Sequence, residues 1–258
     1  MKKTVPIIIF LLFCSEFFCQ DSLKVKKILI VATNIDLLGK FESGTFLYEV
    51  ARPFKYFIDN GYDVDFTTPK GGKVAIYPTG DQGFDIGKIQ RSKLYISKTK
   101  NSLLPTEVHD SEYVAVFYPG GHGQYFDVVK DESISILVAK IYENGGIIGS
   151  AGHGEASLIN IKLSNNKYLV EGKKMTCFPH WSELKDMYIS DYGKLLPFDM
   201  QEVLAKRGAN LIVCPSIPKP NKECRQIVDY KNRMITGAFA GDADWVAEEI
   251  VKQLQTKR

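Results

Sequence analysis

Gly145-Gly-Ile-Ile-Gly-Ser-Ala-Gly-His-Gly-Glu-Ala-Ser-Leu158 carries an apolar pair, Ile147-Ile148, that ends in small residues and runs toward a helix-forming stretch. Strand, sharp turn, helix is the grammar of a nucleophile elbow. Such a turn lifts one side chain to the top of a sheet, beside the positive end of a helix. The residue at the apex here is Gly152, with His153 after it. An elbow holds its apical residue in an uncommon backbone conformation, which glycine adopts without a Cβ penalty. The segment thus predicts the architecture of a side-chain-centred site with glycine at its centre.

Outward from this segment, Lys26-Lys-Ile-Leu-Ile-Val-Ala-Thr33 and Tyr113-Val-Ala-Val-Phe-Tyr118 are continuous apolar runs, as strands buried on both faces of a parallel sheet require. The second leads straight into Pro119-Gly-Gly-His-Gly123. Tyr62 to Thr67 alternates and reads as another strand. Thr45 to Asp59 has helical periodicity interrupted by Pro53, and Asn60-Gly61 ends it. Asp131 to Glu143 reads as an amphipathic helix closed by Gly145-Gly146. Gly80 to Thr106 is polar and weakly patterned, and predicts short helical pieces and loop laid over one face. Downstream, Lys173 to Phe178, Asn210 to Cys214 and Met234 to Gly237 read as strands, and Asp199 to Lys206 and Asp242 to Thr256 as helices. This alternation predicts an α/β fold with a mainly parallel sheet flanked by helices.

The chain has 258 residues and a net charge of +3, part of it in the N-terminal segment and in Lys257-Arg258. No basic stripe with interleaved aromatics is present, so nucleic acid is not an expected partner. Met1-Lys2-Lys3 followed by the apolar Val5 to Phe13 reads as a secretory signal peptide over residues 1–19, cleaved near Cys19-Gln20. The apolar run is shorter than the roughly 20 residues of a membrane span. Residues 20–258 then form one domain, exported to the periplasm or the extracellular medium. Lipid attachment at Cys19 is the alternative, disfavoured by the bulky Glu16-Phe17-Phe18 before it. Cleavage leaves Cys177, Cys214 and Cys224. A bridge between Cys214 and Cys224, which flank Pro215, Pro218 and Pro220, and two unpaired cysteines near strand ends both remain open.

An ordered set of motifs resembles the ThiJ/PfpI superfamily over nearly all of the mature chain. It comprises Ser43-Gly-Thr-Phe-Leu-Tyr-Glu-Val-Ala-Arg-Pro-Phe54, Gly61-Tyr-Asp-Val-Asp-Phe66, Thr68-Pro-Lys-Gly-Gly72, Phe117-Tyr-Pro-Gly-Gly-His-Gly123, Ala151-Gly-His-Gly154, Val170-Glu-Gly-Lys-Lys-Met-Thr-Cys-Phe178 and Ile235-Thr-Gly237. The branch it most resembles contains chaperone-like, glutathione-independent glyoxalases (D-lactate dehydratases). The resemblance implies the class I glutamine amidotransferase-like fold, a flavodoxin-like sandwich, and a homodimer.

In that branch a cysteine thiolate attacks an aldehyde or ketoaldehyde, a histidine handles protons, an acid orients the histidine, and backbone N–H groups hold the oxyanion. By this resemblance Glu49 is the first-helix glutamate beside the nucleophile, His153 the catalytic histidine and Glu183 its orienting acid. Gly120 and Gly121 offer N–H groups, and His122 lines the same pocket. Gly152 stands where the branch has its cysteine. Two classes follow. One is a binding protein without thiol catalysis, for a small carbonyl compound or for an unfolded client protein. The other is a lyase or hydrolase that uses His153 and Glu49 with water or another nucleophile. Cys177 as a displaced nucleophile is weighed against a buried structural cysteine, which is favoured. No cofactor or metal is expected, since the spacing of His122, His153 and His180 fits no recognised zinc pattern.

Overall fold

The computed structural model describes residues 25–189, 193–217 and 219–256. The expected leader, residues 1–19, lies outside them. Six strands form the main sheet: β1 (Lys27–Val31), β2 (Asp63–Thr67), β3 (Tyr113–Tyr118), β4 (Ile147–Ala151), β5 (Gln226–Asp229) and β6 (Met234–Gly237). Their spatial order is β5-β6-β4-β3-β1-β2. All neighbours are parallel except the edge pair β5–β6. The sheet is therefore mainly parallel, as expected.

Alternation along each strand sends side chains to two separate cores. Ile28 and Ile30 of β1 join Ala115, Phe117 and Ile147 under helix α1 (Leu47–Asp59) and the last long helix (Ala243–Thr256). Leu29 and Val31 join Val116, Tyr118 and Ile148 on the opposite face, under the helix Glu132–Glu143. Both faces of the central strands are covered, which is why those strands read as unbroken apolar runs.

Helix α1 buries Leu47, Val50, Ala51, Phe54 and Phe57, which recur on one face. Phe57 meets Phe117 of β3 edge-on at 5.9 Å, and Phe54 meets Tyr95 at 5.2 Å. Pro53 lies inside the helix without ending it, and the helix begins at Leu47, two residues later than expected. Residues 45–46 instead pair with Ile76–Tyr77 as a short parallel strand. The polar stretch after Gly80 folds into two short helices, Phe84–Gln90 and Lys93–Lys100, whose Ile86, Ile89 and Tyr95 close the core over α1.

Two expected strands are cut short. Only Lys174–Met175 and Asn210–Leu211 pair, with each other and apart from the main sheet. The chain after Leu211 is diverted to Cys214, which is bonded to Cys224 with the Cα atoms 5.0 Å apart. No helix among the described residues is long and apolar enough to cross a membrane.

Candidate active site

β2 lies on one side of β1 and β3 on the other, so the chain reverses its direction of winding beside the carboxyl ends of β1 and β3. Open α/β sheets bind ligands at such a point. The register sets Ser150 of β4 opposite Tyr118 of β3. Two residues further on, Gly152 emerges beside Gly120.

Gly152 has φ +58°, the left-handed conformation that an elbow demands. Beyond it the helix expected from the sequence does not form. Gly152–Leu158 is a seven-residue 3-10 turn rather than an α-helix. Buried Glu155 holds it to the sheet by accepting from Ser150 Oγ at 2.9 Å. A turn this short supplies little of the dipole that a full helix would aim at the apex.

Glu49 enters from the first turn of α1 and is 2% exposed. Its Oε2 accepts the Gly120 N–H at 2.6 Å, while the Gly120 carbonyl accepts the Phe46 N–H at 2.8 Å. The glycine loop is thereby clipped to the start of α1. A Cβ on Gly120 would stand 2.5 Å from the Glu49 carboxylate, so the approach requires glycine. The clip also corrects the role expected for Gly120, whose N–H is spent on Glu49. Gly121 lines the cleft. Burial pushes the Glu49 pKa up to about 8, although the Gly120 N–H and nearby His153 pull the other way. At neutral pH this side chain is mostly an un-ionised acid that can donate a proton.

On the other side, His153 is 8% exposed and its Nε2 lies 3.0 Å from Glu183 Oε2. Glu183 comes from the helix His180–Ile189. The Phe178 and His122 rings each lie 4.3 Å from the His153 ring, and together they fix the imidazole plane. Burial, aided by His153, holds the His122 pKa well below the usual histidine range, so that ring is neutral. His180 does not join this group. Its Nδ1 pairs with Asp199 at an exposed position. Cys177 is fully buried and burial pushes its thiol well above the usual range, so it cannot serve as a nucleophile.

The cleft between these groups holds about 190 Å³ and is lined by Glu49, Gly121, His122, Gly152 and His153, with Gly44, Phe46, Tyr77, Phe178 and Ala240. That is room for a handful of heavy atoms. Sequence reasoning brought five of these together and missed the aromatic walls, Phe46, Tyr77 and Phe178. It also missed Gln124, fully buried after the glycine loop. Gln124 Nε2 donates to the Val31 and Pro119 carbonyls, and its Oε1 accepts from Ser157 Oγ at 3.0 Å. A glutamine so close behind a glycine loop is the one signal that could have suggested it.

Residues 40–253 match the DJ-1/PfpI family. The chain belongs to this family. A DJ-1/PfpI relative from Saccharomyces cerevisiae, named a "probable glutathione-independent glyoxalase", is 33% identical over 156 residues, which are 55% of this chain. The match spans 63% of that yeast protein, less than two thirds of its length. A glutathione-independent glyoxalase of Schizosaccharomyces pombe is 25% identical over 248 residues, 90% of this chain and 98% of the relative. Among solved structures, glyoxalase III from Candida albicans superposes with a TM-score of 0.73 at 23% identity, over 89% of this chain and 97% of that one. The DJ-1/PfpI fold, a mostly parallel sheet flanked by helices, is thus the one the sequence predicted.

Proposed function

We propose that this chain is an exported DJ-1/PfpI protein that binds a small carbonyl compound in the Glu49–His153 cleft without thiol catalysis. The observation that carries it is Gly152, a residue with no side chain at the apex of the elbow. By the family resemblance a nucleophilic cysteine belongs there. Among the described residues no other thiol can replace it, because Cys177 is buried and Cys214 and Cys224 are bonded to each other. The names of the yeast relatives support the substrate class. The cleft suits it, since an un-ionised Glu49 and His153, which Glu183 orients, both line it. The basic, then apolar, N-terminus supports export, and the Cys214–Cys224 bridge fits an oxidising compartment.

Titration calorimetry with hydroxyacetone, beside a methylglyoxal turnover assay, tests this reading. Saturable binding that His153→Ala abolishes, with no lactate formed, is the expected result. Suppression of client aggregation that ignores His153→Ala, with no ligand binding, replaces it with the chaperone-like role. Turnover whose pH profile moves with His153 replaces it with a lyase or hydrolase using water. The raised pKa of Glu49 opposite His153 is what favours that second reading, since a proton donor and a proton acceptor then flank one cavity.

A further inference from the structure

Three side chains from three separate elements converge beside the cleft. His122 opens the turn after β3, His153 follows β4, and Glu183 lies on the helix His180–Ile189. One potential ligand atom from each lies within 4.8 Å of the others. Both imidazoles aim Nε2 at the same carboxylate. His153 Nε2 is 3.0 Å from Oε2, and His122 Nε2 is 4.0 Å from Oε1. The hydrogen bond to His153 accounts for one carboxylate oxygen. It does not account for the other, since Oε1 is buried with no hydrogen-bond partner among the described residues. A buried acceptor of that kind is open to a water or a cation.

We propose that His122, His153 and Glu183 form a binding site for a divalent transition-metal ion, Zn²⁺ by the chemistry of its ligands. Two imidazoles and one carboxylate suit zinc. Zinc bonds to nitrogen and oxygen are roughly 2.0–2.2 Å long, so adjacent ligands on a tetrahedral ion stand about 3.4 Å apart. The two observed separations, 3.0 and 4.0 Å, bracket that edge. All three ligand atoms lie within 4.8 Å of one another, so an ion enters once the side chains draw in by about 1 Å. Three protein ligands leave a coordination position open, and His122 and His153 both line the cleft, so that position faces the cavity. The ion replaces the proton shared by His153 Nε2 and Glu183, which is released to solvent, and it takes up the nitrogen lone pair so freed. The zinc-loaded protein therefore cannot use His153 Nε2 as a base. The three residues stand about thirty positions apart in sequence, which is why zinc spacing patterns do not reveal them.

The test uses the full chain without an affinity tag, stripped with a chelator and titrated with Zn²⁺ by calorimetry and with Co²⁺ by visible absorption. Zn²⁺ alone is the probe, so the outcome is independent of the small-carbonyl ligand proposed above. One equivalent is expected, with cobalt bands typical of four- or five-fold coordination. His122→Ala and Glu183→Gln should each weaken binding at least tenfold with near-UV circular dichroism unchanged, and His180→Ala should leave it as it was. His122→Asn, which keeps a polar side chain of similar reach, should weaken it as His122→Ala does and guards against a packing defect. A millimolar dissociation constant overturns the proposal. So does an equivalent lost in His180→Ala and kept in His122→Ala, which would place the ion at the exposed His180–Asp199 pair.

Discussion

Glu49 fills the space that a side chain on residue 152 would need: a Cβ added to Gly152 would stand 2.9 Å from Glu49 Oε1 and 3.0 Å from Oε2. The elbow and the first helix have closed on each other around a glycine. Any substitution at Gly152 must accept φ +58° and also push back a carboxyl group that is hydrogen-bonded to Gly120.

Gly152→Ala should therefore destabilise the protein by about 1–3 kcal/mol, the scale of a non-glycine residue held in a left-handed conformation. Urea denaturation measures it. In a Glu49→Ala background the same substitution should cost less, because the obstructing carboxyl is gone while the backbone strain stays. An equal cost in both backgrounds would show that Glu49 is no obstacle.

The raised pKa of Glu49 links stability to pH. The folded group titrates near 8, against 4.5 for the same group in the unfolded chain. Between those values the folded state keeps a proton that the unfolded state has released. The stabilisation is complete below the lower value, declines as pH rises through the window, and changes no further above about 8. A difference of one in pKa corresponds to about 1.4 kcal/mol, so the total change is several kcal/mol. Glu49→Gln, which can still accept the Gly120 N–H, should remove this dependence. The difference in unfolding free energy between Glu49→Gln and the natural protein, measured from about pH 5 to about pH 9, should grow in favour of the variant. A flat difference counts against the buried, protonated acid.

Cys214 and Cys224 close a loop with a sequence separation of 10, and the Cys214 carbonyl accepts the Trp181 indole N–H at 2.7 Å. Trp181 shares its helix with Glu183. Cross-linking a loop of this length stabilises by about 3 kcal/mol in the chain-entropy account. Reduction should lower the melting temperature and, in a Trp245→Phe background, shift the Trp181 emission. If Cys214→Ala/Cys224→Ala melts at the same temperature as the natural protein, the bridge has no anchoring role.

The parts of the fold legible in the sequence were those where burial leaves a periodic trace. β1, β3 and β6 lie close to their expected ranges because both faces of each are covered. The segments 174–175 and 210–211 defied reading because their short pairing lies outside the main sheet, where local packing and the bridge at Cys214 set the limits. At the site, Gly152 and His153 were legible from local turn grammar. Glu49 and Glu183 rested on family resemblance, and the structure brings Glu49 to the cleft and Glu183 to His153. Glu155 left no trace, and Gln124 only its place behind the glycine loop, because a polar residue buried by tertiary hydrogen bonds looks in sequence like one facing solvent. The same limit hid the meeting of His122 with Glu183, which depends on three elements converging.

A thiol at the elbow should bring back some of the chemistry that glycine forgoes. Gly152→Cys places a sulfur between Glu49 and His153, at the position where the family resemblance puts its nucleophile. Glu49 must first yield by a few tenths of an ångström, since the Cβ alone would sit 2.9 Å from its carboxyl. The 3-10 turn after the elbow gives less help in lowering the thiol pKa than a full helix, so ionisation depends mainly on proton transfer to a neighbouring acceptor such as His153. Methylglyoxal turnover to lactate should appear in Gly152→Cys and be absent from the natural protein. It should fall short of an efficient enzyme, because misplacement near 1 Å can cost on the order of a hundredfold in rate. Adding Glu49→Ala should abolish it by removing the group that shares the proton with the new sulfur. Robust turnover by the natural protein would mean that activated water has taken over the chemistry. A folded Gly152→Cys that alkylates with iodoacetamide yet forms no lactate would mean that the cleft has lost its catalytic geometry and that binding is its remaining use.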